Sequence, residues 1–253
     1  MLNFRNTNIF FIALLFVLVL LRVPFYFYLL AIIIYSLIVF WGCINISAGF
    51  FIPIVCQANT NKKEIAISFD DGPAIEHTAS ILTVLKNENI KATFFCIGKR
   101  IAGNENILQQ IHNDGHTIGN HSYSHHFWFD LYSAKKMLKD MQQMDAELQR
   151  VIGMKPKLFR PPYGVTNPNV KKAIINGGYT PVGWSLRSMD TVAKDENIFL
   201  QKICAGIKPG AVFLFHDTCK ITLDVLPRFI KEVKKMGYNI VPLDKMLALT
   251  AYE

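Results

Sequence analysis

Residues 64–72 read EIAISFDDG. Glu64 to Phe69 is a short apolar run of the strand type, and it ends on two carboxylates and a glycine. The same grammar recurs along the chain. Strand-like runs at Ala92–Ile97, Thr117–Asn120, Leu158–Phe159, Thr180–Ser185, Ala211–Phe215 and Ile240–Leu243 alternate with helical stretches. Thr78–Asn87, Asn106–Asn113, Ser133–Val151, Asn169–Asn176, Ile198–Gly206 and Leu223–Met236 carry apolar residues at helical spacing. Gly177-Gly178, Pro209-Gly210 and Gly237 punctuate the helix ends. About seven strands alternating with helices favour a parallel sheet. At this length the expected solution is a distorted (β/α) barrel. In such barrels chemistry collects at the C-terminal ends of the strands. Asp70-Asp71, His121, Arg160, the segment Trp184–Arg187 and His216 all fall at strand ends. Met137, Leu138, Met141, Met144 and Leu148 form one stripe of the longest helix and read as core.

Outward from this region the composition changes sharply. Residues 1–58 hold two charges, Arg5 and Arg22, and no acid, while the rest of the chain holds all 19 acids. Ile9–Leu21 is an unbroken apolar run, Arg22-Val23-Pro24 interrupts it, and Phe25–Trp41 resumes it. A hydrocarbon core takes about 20 apolar residues of helix. The expectation is a transmembrane helical hairpin over residues 1–58, anchoring in the bilayer a catalytic domain over 59–253. A cleaved signal peptide fits less well, because the apolar stretch is too long and no small-residue cleavage site follows it. Val55 is too bulky to precede a lipidated Cys56. One basic residue at each end of the first run leaves the orientation undetermined by charge.

The formal net charge of +8 is mild for 253 residues. Lys135, Lys136 and Lys139 share a helix with Asp140, Asp145 and Glu147, the pattern of a solvated helix face. There is no nucleic-acid motif. The five cysteines lack the spacing of a disulfide framework or a zinc ribbon, and Cys96, inside an apolar run, reads as core.

The chemistry follows from side-chain types. Adjacent carboxylates at a strand end need a neutralising partner, and consecutive strand positions point to opposite sides. One can therefore face a cation while the other faces substrate or water; the alternative is plain turn chemistry at Asp-Gly-Pro. His121 and His125, four apart, can converge on one ion from a compact loop. With Asp71 they form a two-nitrogen, one-oxygen set that leaves open positions, a catalytic rather than a structural pattern. Zinc suits these ligands, with cobalt, nickel or manganese as alternatives.

These segments together resemble the polysaccharide deacetylases, the NodB-homology group or carbohydrate esterase family 4, over nearly all of residues 62–248. The resemblance implies roles. Asp70 is the general base, Asp71, His121 and His125 are the metal ligands, and Arg160 orients the base. The Tyr163 backbone N–H binds the oxyanion, Leu214 lines the pocket for the acetyl methyl, and His216 is the general acid. Asp114–His121 and Ala92–Phe95 also look like the family's surrounding sequence, with His116 as scaffold. The implied substrate is an N-acetylated glycan, peptidoglycan or another polysaccharide, which places the domain on the extracytoplasmic side. An O-deacetylase of an esterified glycan and a non-catalytic sugar-binding protein are the competing readings.

One segment departs from the pattern. Where the family has an acid, two spacers, then Asp or Ser and Trp, this chain has Arg187 at the first acid and Thr191 at the tryptophan. That first acid supports the general-acid histidine. Two readings stay open: Asp190 substitutes for it, or Arg187 with Trp184 binds the substrate, the guanidinium taking an anionic group.

Overall fold

The computed structural model describes residues 2–253. Two helices, α1 (Phe4–Leu20) and α2 (Phe25–Ile44), are joined by a four-residue connection. They pack side by side, with Phe11 stacked on Tyr35 at 4.2 Å and the Tyr35 hydroxyl donating to Asn8 Oδ1 at 2.8 Å. Among the described residues, only α2, at 20 residues, is long and apolar enough to cross a membrane by itself. α1 has 17 residues.

The rest of the chain runs β1 (Glu64–Asp70), α3 (Thr78–Asn87), β2 (Thr93–Cys96), α4 (Glu105–Asn113), β3 (Thr117–Asn120), α5 (Ala134–Ile152), β4 (Leu158–Phe159) and α6 (Pro168–Gly177). It continues through β5 (Thr180–Pro181), β6 (Leu186–Arg187), α7 (Glu196–Cys204), β7 (Val212–His216), α8 (Lys220–Lys235), β8 (Asn239–Ile240) and α9 (Leu243–Met246). The strands pair in the order β5-β4-β3-β2-β1-β7-β6, all parallel, as a curled and incompletely closed (β/α) barrel. β8 pairs with the first two residues of β1. Ahead of their terminal Asp70 and His216, β1 from Ile65 on and β7 are buried and, Ser68 apart, apolar, as suits parallel strands covered on both faces.

Two of the expected strands are cut differently. The run Thr180–Ser185 ends as a strand at Pro181, and its continuation pairs elsewhere. Val182 N–H bonds Phe159 O, whereas Ser185 N–H bonds Val212 O, so one extended run serves β4 and then β7. The last run stops at Ile240 because Pro242 caps α9 at its N-terminus. The methionine stripe is core: Met137, Met141, Met144 and Leu148 are buried. The acids of the same helix are not all solvated. Asp145 is buried and Asp140 half-buried, for a reason given below.

The open seam of the barrel, between β5 at one end of the strand order and the β7–β6 pair at the other, is filled by the segment leading out of α2. Val55 N–H donates to Pro181 O, Gly183 N–H to Val55 O, and Ala58 N–H to Gly210 O, all between 2.9 and 3.1 Å. Phe50, Phe51 and Ile52 are buried ahead of it, Ile52 against Phe129, Met137, Phe159 and Tyr179. The connection is thus packed into the barrel wall.

Candidate active site

Register sets the site. Asp70, the last residue of β1, stands opposite His216, the last of β7, and Asn120 of β3 stands opposite Phe159 of β4. His121 and Arg160 are the next residues of those two strands, so all four functional groups reach the same end of the sheet. The loops beyond bend tightly. Asp71, Ser122, His125, Tyr163 and Met189 all have positive φ, between 42° and 76°. Such conformations cost non-glycine residues of order 1–3 kcal/mol each and cluster at functional sites. The turn at Asp71, φ 76°, breaks strand alternation. As a result both adjacent carboxylates enter one cavity rather than opposite faces of the sheet.

That cavity, about 160 Å³, is lined by Asp70, Asp71, His121, His125, Tyr163, Trp184, Arg187, Leu214 and His216, with Gly164 and Thr191. Of the residues given a catalytic, metal or substrate role from the sequence, only Arg160, behind Asp70, and Asp190, behind His216, lie outside this lining. Arg160 is wholly buried. Its Nη1 donates to Asp70 Oδ1 at 2.6 Å and to Ser68 Oγ at 2.9 Å, and its Nη2 to Gly183 O at 2.8 Å. The guanidinium lies 4.0 Å over the Phe95 ring. Its orientation is therefore fixed from several directions, and it fixes Asp70 in turn.

On the other side of Asp70 stand the two histidines. His121 Nδ1 faces Arg160 O at 2.8 Å, which assigns the proton to Nδ1 and leaves the Nε2 lone pair directed at the cavity. His121 Nε2 lies 3.6 Å and His125 Nε2 3.5 Å from Asp71 Oδ1. Burial, reinforced by His121, lowers the His125 pKa to about 4, so its imidazole is neutral at physiological pH. Burial opposes ionisation of Asp71, yet His121, His125, His216 and Arg100 together hold its pKa below the usual value.

These residues fit a divalent cation. Asp71 Oδ1 is buried and has no hydrogen-bond partner, a costly state for a carboxylate unless something else neutralises it. Two ligands of a tetrahedral ion at about 2.1 Å stand roughly 3.4 Å apart, close to the spacings seen here. A second trio, Asp190, His216 and Cys219, also lies within ligand distance of one another. It differs because the Asp190 carboxylate is already saturated. It accepts from His216 N–H at 2.6 Å, Thr222 Oγ1 at 2.6 Å and Thr191 N–H at 3.0 Å, and bonds His216 Nδ1 at 2.7 Å.

The ring of His216 is thus held by Asp190, and no hydrogen bond or ion pair links it to position 187 among the described residues. Burial disfavours the charged imidazolium, but Asp190 outweighs it and raises the His216 pKa. Asp190 is itself held below the usual carboxylate value, its own burial overcome by His216 and Thr222. Arg187 is exposed at the cavity, 5.9 Å from the Trp184 ring centroid, and forms no ion pair among the described residues. Tyr163 turns its ring edge to His125 at 4.7 Å.

Other residues that matter here escape motif reading. Asp140 accepts from the Tyr123 and Ser124 N–H groups, and Asn120 accepts from Ser122 N–H. Asn120 is in turn held by Asp145, which also takes the Tyr179 hydroxyl at 2.5 Å. The two aspartates on α5 thus clamp the histidine loop, which is why they are withdrawn from solvent. His116 is scaffold: its Nδ1 accepts from Ala92 N–H, and burial lowers its pKa to about 4.

Comparison with known proteins gives the same family from independent directions. The family model described as polysaccharide deacetylase matches residues 57–182. A peptidoglycan-N-acetylglucosamine deacetylase of Bacillus cereus is 34% identical over 190 residues, 74% of this chain and 69% of that protein. The peptidoglycan-N-acetylglucosamine deacetylase PgdA of Listeria monocytogenes is 32% identical over 199 residues, 77% of this chain but only 41% of that longer protein. Among solved structures, the Bc1960 peptidoglycan N-acetylglucosamine deacetylase superposes with a TM-score of 0.73 at 30% identity, covering 79% of this chain and 95% of that one. With relatives at this identity and coverage, the chain belongs to the polysaccharide deacetylase family, the NodB-homology or carbohydrate esterase 4 group.

Proposed function

We propose that the protein is a membrane-anchored hydrolase that removes N-acetyl groups from the amino sugars of a glycan. The observation that carries this reading is the buried, unpartnered Asp71 Oδ1 between two imidazole Nε2 atoms, beside an Arg-fixed carboxylate and opposite an Asp-supported histidine. A polysaccharide-binding protein has no need of such a constellation. The family is metal-dependent, and we assign the ion to Asp71, His121 and His125, with zinc the best match to the donor set. Such an ion supplies Lewis-acid polarisation of the acyl carbonyl and acidifies water.

The chain's own groups account for the proton traffic. Asp70, with Oδ1 engaged by Arg160, offers Oδ2 to take a proton from the attacking water. The Tyr163 N–H donates to the developing oxyanion. His216, kept protonated by Asp190, delivers its proton to the leaving nitrogen, so that a neutral amine departs. Leu214 and Trp184 wall the site of the acetyl group and sugar, and Arg187 takes an anionic group on the substrate. Residues 1–58 act as the anchor and 59–253 as the catalytic unit, with the cavity on the extracytoplasmic side where peptidoglycan and exported glycans lie.

The test is acetate release by the full chain in detergent with added zinc, from peptidoglycan and from N-acetylglucosamine oligomers. The full chain is needed because residues 50–58 are part of the barrel wall. Asp70→Asn is expected to lower release by about 10²–10⁴-fold, the usual range for a lost general base. Zinc-dependent release that survives this substitution unchanged removes Asp70 from the mechanism. No release from folded, zinc-loaded wild-type protein on any acylated glycan sinks the reading.

A further inference from the structure

We propose that the rim of the catalytic cavity rests on the same bilayer that α2 crosses, and that the substrate is an amino sugar carried on a lipid. This rests on the deacetylase reading above and on α2 as a membrane span.

The end of α2 is fastened to both walls of the cavity. Thr166 N–H donates to Cys43 O at 2.9 Å, and Thr166 follows Tyr163 and Gly164 of the cavity lining. Gly183 precedes Trp184, and a Cβ there would stand 2.6 Å from Cys56 Sγ and 3.3 Å from Ile46 Cδ1. Phe4, Trp41, Phe50 and Phe51 form an aromatic collar at this end of the helix pair, with ring centroids 4.9–6.4 Å apart. Phe50 and Phe51 are buried in it, while Trp41 stays exposed at the end of α2, the ring type enriched at the membrane–water boundary. The cavity walls are therefore held at the level where α2 leaves the lipid.

A second observation lies on the loop beside them. Phe127, Trp128 and Leu131 are 67%, 54% and 69% exposed. Three large apolar side chains within five positions of a polar loop mark an interaction surface rather than scattered exposure. The loop is tied to the collar and to the site at once. Asn167 Nδ2 donates to Asp130 O at 2.6 Å, next to Thr166. Phe127 lies 6.4 Å from the ring of Tyr163, which in turn packs on the metal-side His125. Lys135 and Lys136, exposed at the start of α5, follow directly and give the apolar patch a polar rim. A membrane span, an aromatic collar, an apolar loop and the cavity wall are thus contiguous. Continuity with the α2 span selects lipid as the occupant of this surface.

The experiment uses the full chain reconstituted in vesicles of phosphatidylethanolamine and phosphatidylglycerol. Acetate release is measured from polyprenyl-diphosphate-linked N-acetylglucosamine in the same vesicles and from a soluble N-acetylglucosamine tetramer. The double variant Trp128→Ser/Leu131→Ser is expected to lose tenfold or more on the lipid-borne substrate and to keep the soluble activity. Equal loss on both substrates, or no loss on either, overturns the proposal. Docking is read independently by fluorescence quenching with lipids brominated near the headgroup. Wild type is expected to show a lipid-dependent component that Trp128→Phe lacks; identical quenching of the two overturns docking. If wild type releases acetate from neither substrate, the deacetylase reading fails, and the quenching still decides the membrane contact.

Discussion

The two halves of the cavity are built on opposite principles. On one side His216, Asp190 and Thr222 complete each other: every bond the Asp190 carboxylate needs comes from within the chain. On the other side Asp71 Oδ1 is buried without a partner, between two histidine nitrogens. The first half is poised by protein alone, and the second is finished only by something added. Asp70 stands between them, gripped by Arg160 and 3.8 Å from His121 Nε2. On the proposed reading, the contrast separates what tunes a proton from what gathers an electrophile.

The sharpest way to break this comparison is to empty the unfinished half. Treatment with a chelator is expected to abolish acetate release, and zinc to restore it. Asp71→Asn is expected to fall at least about 10³-fold, because it removes the one anionic ligand, and added zinc should not rescue it. Zinc content per chain, measured on the purified variants, distinguishes lost binding from lost chemistry. An Asp71→Asn protein that binds zinc and hydrolyses normally would place the ion elsewhere.

A smaller effect is expected in the finished half. Asp190→Asn keeps the shape and one of the two acceptor oxygens and removes the charge that raises the His216 pKa. The protonated imidazole is the form that donates, so activity falls as pH rises through its pKa. Lowering that pKa moves the alkaline limb of the kcat/KM profile to lower pH. The loss is expected to be greatest at alkaline pH and to shrink as pH falls. Zinc content is expected to stay at the wild-type level. A uniform loss at every pH would mean that Asp190 only positions the ring.

The same contrast explains what was legible in the sequence. Asp70, Asp71, His121, Arg160 and His216 each sit at or just beyond a strand end, and strand ends are local features of the chain. The pairing order then brings them together without further information. Asp190 was ambiguous because its meaning depends on a loop after β6 returning to β7 and α8. Asp140 and Asp145 looked like solvent-facing partners of nearby lysines, since nothing in a helical pattern says that a loop will need N–H acceptors. Residues 55–58 read as the tail of an anchor, because filling a barrel seam is a property of the closed sheet. The split of Thr180–Ser185 into two pairings has the same origin.

The smallest expected effect concerns Arg187. It replaces an acid, lies at the cavity and has no acidic partner among the described residues, yet His216 is supported without it. On the proposed reading its charge faces the substrate rather than the machinery. Arg187→Ala is expected to raise KM about tenfold for a glycan carrying a carboxylate or phosphate near the acetamido group, with kcat nearly unchanged, as befits contact made equally in ground and transition states. For neutral N-acetylglucosamine oligomers the same substitution is expected to change little. One tenfold step corresponds to about 1.4 kcal/mol, the order expected of a single charge-assisted hydrogen bond. Arg187→Lys would keep the charge and lose the planar fork, so partial recovery would point to a phosphate or carboxylate read at two oxygens. If neutral and anionic substrates suffer alike, Arg187 belongs with the finished half of the site, and the division between the two halves moves to include it.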